Sequence, residues 1–133
     1  MREILFRGKK IYTKEWIEGV AFPHDSNKVT MLSQHPMDGS LVGKEVYLGT
    51  VGQYTGLTDK NDTKIFEGDI IQNVTEGKTA VVQWFSEHSA FMLWCKSENQ
   101  VYWLYDNDFH NIEVIGNIYD NPELLGGADD ASS

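Results

Sequence analysis

The apolar runs of this sequence are short and frequently interrupted, which limits the folds that the chain can adopt. Short β-branched and aromatic runs alternate with Gly, Asn, Asp and Ser, and no long segment keeps the 3.6-residue repeat of a helix. Runs of this length match typical β-strands. The sequence therefore predicts an all-β fold.

The second half contains five strand candidates, most of them separated by short turns. This order predicts an antiparallel meander, and closure of the meander into a small barrel would remove its exposed strand edges. The candidates cover residues 70–74, 79–85, 90–96, 101–105 and 113–119.

The first half shows weaker strand candidates between polar loops, which predicts a smaller and more irregular β region over residues 1–52. The barrel is expected over residues 53–122, where the turn-forming segment 53–62 is either a structured connection or a hairpin. Residues 123–133 are expected to be a partly disordered tail, with one short helical turn starting near Pro122. The weaker candidates cover residues 4–6, 10–17, 29–32 and 45–48.

The charge balance limits the kinds of partner this chain can bind. Eleven basic and 20 acidic residues give a net charge of −9, which works against a nonspecific phosphate-binding surface because such a surface requires Lys and Arg. No apolar run reaches the roughly 20 residues of a membrane-spanning helix. The single cysteine, Cys95, has no partner for an internal disulfide. We expect a cytoplasmic protein with no membrane contact.

Few residues have the spacing that catalysis or metal binding requires. Asp106, Asp108 and His110 alternate, but a polar turn explains them better than a ligand set does. The segment from Asp59 begins like a calcium loop and then lacks the glycine and the glutamate that such a loop needs. Cys95 lies in an apolar run, where burial would suppress its thiolate. The sequence therefore predicts no enzymatic activity, no cofactor and no metal.

Aromatic residues are concentrated on three successive strand candidates of the second half, and Trp84, Trp94 and Trp103 are the candidate interaction residues among them. Three interpretations remain open. These rings fill the core, they anchor a subunit interface, or they stack on nucleic-acid bases. The stacking interpretation lacks a positive groove, because these strands contribute only Lys78 and Lys96.

Three stretches form a recognisable pattern. The first reads TVGQYTGLTDKN over residues 50–61 and continues as KIFEGDII over 64–71; the second reads EVIGNIYDNPELL over 113–125; the third is the looser segment 2–9, together with Trp16. Together these stretches resemble the YopX-like family of phage and prophage proteins. The resemblance implies an all-β fold with an SH3-like barrel in the C-terminal half, and an accessory gene of phages or integrated elements. It implies no catalytic or ligand residues.

The motif residues have a structural interpretation. Gly68 permits a sharp bend at the entry to a strand, Asp69 is able to accept backbone N–H bonds there, and the Tyr54 ring packs against the barrel. Asp62 and Thr63 replace the Asn-Gly turn that is usual in the family. The motif residues that we single out as structural are Tyr54, Gly56, Leu57, Asp59, Glu67, Gly68, Asp69, Gly116 and Asn117.

These observations favour a non-enzymatic interaction or assembly module. We expect a homo-oligomer, with a host or phage protein as a further partner. The alternative is a nucleic-acid-associated protein acting in the DNA metabolism of a phage or mobile element. A basic face for that role would come from Arg2, Arg7, Lys9, Lys10 and Lys14. An acidic decoy that imitates phosphates is a third interpretation, but the acidic residues are dispersed.

Overall fold

The computed structural model describes residues 4–24, 28–104 and 111–125. Within these residues the chain forms antiparallel strands and a few 3-10 turns, so the predicted all-β class is confirmed. The chain divides into two compact units, Met1–Gly56 and Leu57–Ser133. The strands are β1 Phe6–Lys9, β2 Trp16–Pro23, β3 Lys28–Gln34, β4 Leu41–Tyr47, β5 Gly52–Thr58, β6 Lys64–Phe66, β7 Asp69–Asn73, β8 Thr79–Phe85, β9 Ala90–Cys95, β10 Gln100–Trp103 and β11 Ile112–Asn117.

In the first unit the strand order is β4-β3-β2-β1-β5. Val29 and Met31 of β3 and Val46 of β4 form its buried core. The end of β1 returns to β4 through a single bridge between Lys10 and Val46. The four N-terminal strands therefore pair in regular ladders, rather than forming the irregular region that was predicted.

The predicted strand over residues 10–17 is wrong for residues 10–15, whereas Trp16 and Ile17 lie in β2. The backbone turns instead, with the Lys10 N–H donating to the Glu15 carbonyl at 2.8 Å and the Lys14 N–H donating to the Lys10 carbonyl at 3.2 Å. Lys14 has a φ of 65°, in the left-handed region, where a strand cannot continue. The turn lets β2 start at Trp16 and run antiparallel to β1.

In the second unit the order β10-β9-β8-β7-β11 contains the predicted meander. β8 has the predicted bounds, and β7 and β9 differ from theirs by one residue. One face of this sheet contributes most residues of a fully buried cluster, which includes Cys95. The cluster is Ile65, Ile71, Ala80, Val82, Leu93 and Cys95.

The described strands do not close into a barrel, because β10 and β11 lie at opposite edges of the five-stranded sheet. The segment 53–62 forms most of β5 and the turn that leads to β6, which matches the hairpin interpretation. The predicted helical turn is a 3-10 helix, Pro122–Leu125, and the rest of the predicted tail, residues 126–133, lies outside the described residues. None of the helices in the described part of the chain is long and apolar enough to cross a bilayer.

Gly19 provides a test of packing in the first unit. A Cβ at this position would lie 2.0 Å from the Leu32 carbonyl oxygen, whereas a Cβ at Gly49 would meet nothing within 4 Å. We expect Gly19→Ala to lower the free energy of unfolding by about 1–3 kcal/mol or more, because the backbone of β3 must shift. Gly49→Ala should change it by much less. Urea denaturation measures both, and equal midpoints would contradict the close approach of β2 to β3.

Candidate interaction site

The Asp59 carboxylate joins the β5–β6 turn to β11. Its Oδ1 accepts the backbone N–H groups of Asn61 at 2.8 Å and Thr63 at 2.9 Å, and its Oδ2 accepts the Val114 N–H at 2.9 Å. The residue is only 8% exposed. Burial raises the pKa of Asp59, but the three N–H donors and the charge of Lys60 outweigh it and hold this pKa below its ordinary value.

The turn itself contains the departure from the family motif. Asp62 adopts a φ of 65°, and its N–H donates to the Asp59 carbonyl at 3.0 Å. Asp tolerates the left-handed region better than most residues. The turn therefore forms without the usual Asn-Gly pair.

Gly68 lies in the turn between β6 and β7, next to Glu67. Its φ is 93°, and its N–H donates to the Val82 carbonyl at 2.8 Å. The Asp69 side chain is buried and accepts the Phe66 N–H at 2.7 Å, so the carboxylate fixes this turn. A Cβ on Gly68 would lie 3.1 Å from Tyr119 Cε2.

Gly116 and Asn117 organise the end of β11. The Asn117 Oδ1 accepts the N–H groups of Tyr119 at 3.0 Å and Asp120 at 2.9 Å. A Cβ on Gly116 would lie 2.6 Å from the Asn121 Oδ1. These contacts form a compact turn, and both Gly116 and Asn117 are needed for its geometry.

The remaining motif residues lie on β5. Tyr54 is buried and its N–H donates to the Leu5 carbonyl at 2.8 Å. Gly56 has a φ of 91°, and Leu57 packs against the buried cluster of the second unit. The motif residues singled out from the sequence thus lie in turns and packing contacts.

Metal-binding geometry is absent from the residues that the structure describes, since no group of three or more His, Cys, Asp or Glu side chains is close enough to hold an ion. The weak candidates Asp106, Asp108 and His110 lie outside those residues. Cys95 is fully buried, with its Sγ 3.5 Å from the Ser97 Oγ.

The register of β8, β9 and β10 separates the three tryptophans. Trp94 pairs with Val101 and Trp103 pairs with Met92, so Trp94 and Trp103 share one face of the sheet. Trp84 pairs with Phe91 on the opposite face, where the two rings meet edge to face at 5.0 Å. The sequence did not separate them because the faces depend on register.

We call the side with Trp94 and Trp103 the Trp103 face. Trp103 is 51% exposed and its ring centroid lies 5.3 Å from that of His88, in the β8–β9 turn. This exposure shows that Trp103 is not a core residue, whereas Trp94 is half-buried and the neighbouring Val81 and Met92 are buried within the chain. The exposed residues on this face are Gln83 and Trp103. Its residues on the three strands are all uncharged: Val81, Gln83, Phe85, Ala90, Met92, Trp94, Val101 and Trp103.

A polar cluster beside β10 accounts for Lys78. Its Nζ lies 3.0 Å from Glu98 and 3.1 Å from Glu76, and the Tyr102 hydroxyl donates to Glu98. Hydrogen bonds to Glu98 raise the pKa of both Lys78 and Tyr102, and the bond from Tyr102 lowers the pKa of Glu98. The positive charge of Lys78 is therefore balanced by two carboxylates, which weakens the nucleic-acid interpretation of these strands.

The predicted basic face is divided in the structure. Arg7 and Lys9 lie against the Trp16 ring, at 4.8 and 5.9 Å from its centroid. Lys10 and Lys14 lie instead in the turn between β1 and β2. The fifth member, Arg2, falls outside the described residues.

The Asp59 contacts predict a pH-dependent loss of stability. Because its pKa is lowered on folding, the carboxylate stabilises the native state above its ordinary pKa of about 3.9, and this contribution is lost as the pH falls through the lower folded value. Asp59→Asn should lower the free energy of unfolding at neutral pH by about 1–3 kcal/mol, since an amide cannot accept all three bonds.

The difference between Asp59→Asn and wild type should shrink below about pH 4 in urea titrations. Asp62→Asn is the matched control, because Asn also tolerates the left-handed region and Asp62 is exposed. A constant difference from pH 7 to pH 3 would contradict the role of the Asp59 charge.

Gly68 and Gly77 provide a matched pair of turn glycines. Both have positive φ, but a Cβ on Gly77 would meet nothing within 4 Å. We expect Gly77→Val to cost about 1–2 kcal/mol from its backbone conformation alone, and Gly68→Val to cost a further 1–3 kcal/mol, roughly, from overlap with Tyr119. Thermal unfolding measures both. Equal melting temperatures would remove the argument for tight packing at Gly68.

Comparison with known proteins places these features in a family. The crystal structure of protein EF1440 from Enterococcus faecalis has a similar fold, with a TM-score of 0.56 and 25% identity, over 94% of this chain and 99% of that one. Curated proteins gave no match. The family model described as YopX protein matches residues 5–126, nearly the whole length. This chain therefore belongs to the YopX protein family.

Proposed function

We propose that this protein is a non-enzymatic assembly module that binds a second copy of itself through the Trp103 face. The observation that supports the proposal is the exposure of Trp103 on a strand surface without charged residues. Exposed tryptophan is costly to leave in water and is enriched at the energetic centres of interfaces.

The charge of the chain limits where a second copy can bind. Two chains that each have a net charge of −9 repel one another, and the excess of acidic residues lies from Leu57 onward, in the unit that contains the Trp103 face. The Trp103 face avoids this repulsion, because its residues on β8, β9 and β10 are uncharged. A two-fold interface would place the same surface on both copies and so bring two uncharged faces together.

The same face is poorly suited to nucleic acid. Stacking platforms lie beside cationic side chains that contact phosphates, and Lys78 is already paired with Glu76 and Glu98. A protein partner requires no such cations. A host or phage protein remains a second kind of partner for this face, and it would compete with self-association.

We further propose an accessory role in phages or integrated elements, within the cytoplasm. The resemblance of residues 50–71 and 113–125 to YopX-like proteins of phages supports the first part. A single buried thiol supports a reducing compartment. The antiparallel order of β7 to β10 supports an SH3-like arrangement in the second unit.

Self-association should depend on Trp103 and not on Trp84. The two side chains are similarly exposed, 51% and 48%, but lie on opposite faces. We expect Trp103→Ala to weaken dimerisation by at least roughly 30-fold, as the loss of an interface anchor does. Trp84→Ala should leave the dimerisation constant nearly unchanged. Sedimentation equilibrium over a range of concentrations measures this constant.

Thermal unfolding of the same variants shows whether the folded protomer is retained. A wild-type chain that stays monomeric at high concentration would contradict the proposal. Equal effects of the two substitutions would also contradict it, because the loss would then not belong to one face.

A further inference from the structure

Negative charge is concentrated in one of the two units. The residues up to Gly56 include seven Lys or Arg and six Asp or Glu, a balance of +1. The residues from Leu57 onward include four and 14, a balance of −10. The excess of acid that argues against phosphate binding therefore does not apply to the first unit.

The turn between β1 and β2 has a fixed backbone. Besides the bonds that close it, the Ile11 N–H donates to the Glu45 carbonyl of β4 at 3.1 Å. The Tyr47 hydroxyl donates to the Ile11 carbonyl, also at 3.1 Å. Hydrogen bonds with β4 thus fix the backbone of the turn, and with it the positions from which the turn side chains project.

Tyr12 lies in this turn with 85% of its surface exposed. Beside it is a cleft of about 180 Å³, lined by Lys10, Tyr12, Thr13, Lys44 and Glu45. Pockets for cofactor-sized ligands usually measure roughly 300–1,000 Å³. The cleft has room for a group of the size of one nucleotide base or one amino-acid side chain, rather than for a whole cofactor.

Three lysines lie on this turn or line the cleft beside it. The Lys14 Nζ donates to the Tyr47 hydroxyl at 2.7 Å and lies 4.6 Å from the centroid of that ring, which fixes its position. Lys10 lies 3.6 Å from Glu15, a distance that leaves only a weak ion pair. Lys44 is exposed on β4. Glu15 and Glu45 offset part of this charge, so the site is moderately cationic.

We propose that Tyr12, Lys10, Lys14 and Lys44 form a site for single-stranded nucleic acid. The Tyr12 ring stacks on an unpaired base, and the lysines contact the adjacent phosphates. Bases of a duplex are already stacked on one another, so a single strand is the better match for an exposed ring. The moderate charge implies weak binding that depends on stacking as well as on phosphates.

The test uses the whole chain and a fluorescein-labelled oligo-dT strand of about 12 nucleotides, within the usual range of site sizes for single-strand binding. Fluorescence anisotropy gives the dissociation constant between about 50 and 200 mM salt. The variants are Tyr12→Ala and Lys44→Gln. Lys96→Gln is the matched control, because Lys96 is exposed and lies in the second unit.

We expect Tyr12→Ala to weaken binding by roughly 5- to 150-fold, the range for loss of one stacked base. Lys44→Gln should reduce the slope of log K against log salt by about 0.7, the value for one phosphate contact on a single strand. Lys96→Gln should change neither quantity, and Trp103→Ala should leave strand binding intact.

Absence of binding at low salt would overturn the inference, and so would binding that Tyr12→Ala leaves unchanged. A different outcome is that Lys44→Gln lowers the mass of the chain in solution and no strand binds. The cleft would then hold the acidic surface of a second copy, and the nucleic-acid site would be wrong.

Discussion

The second unit depends on one carboxylate, that of Asp59. Its two oxygens accept three backbone N–H groups from the β5–β6 turn and from β11, and the Asp59 and Val114 pair is separated by 55 residues in sequence. The Lys60 N–H also donates to the Ile112 carbonyl at 3.1 Å, so the turn and the strand are joined from both sides. A buried N–H group that loses its acceptor costs roughly 1–3 kcal/mol, and the N–H of half-buried Val114 would carry part of this cost without Asp59. This junction and the ladder between β11 and β7 together hold β11 in place, and the Asn117 turn and the 3-10 helix follow directly after it.

Sequence alone predicted the second unit better than the first. β7, β8 and β9 have β-branched and aromatic runs with turn formers such as Gly77 between them, and these local signals agree with the final pairing. In the first unit, Ile11, Tyr12 and Thr13 lie in a segment that reads like a strand. Pairing of β1 with β2 and bonds from β4 turn that segment instead. Local propensity could not reveal contacts with residues more than 30 positions away.

The candidate sites show the same limit. The sequence named the three tryptophans, but only the register between β8, β9 and β10 places Trp84 on one face and Trp103 on the other. Tyr12 and Lys44 were not singled out, because nothing in their own neighbourhoods joins them. They share a cleft only because Lys10 bridges to Val46 on β4. Interaction surfaces built from several strands are thus the features that a single sequence reveals least.

The burial of Cys95 has a consequence for how copies of the chain meet. The thiol is the chain's single one, and it is fully covered in β9, one strand in from the β10 edge. A thiol becomes reactive only when water reaches it and the thiolate forms. Alkylation of Cys95 therefore requires local opening of this part of the sheet, and its rate reports the free energy of that opening. An intermolecular disulfide would mark chains that have opened or misassembled, rather than native copies in contact.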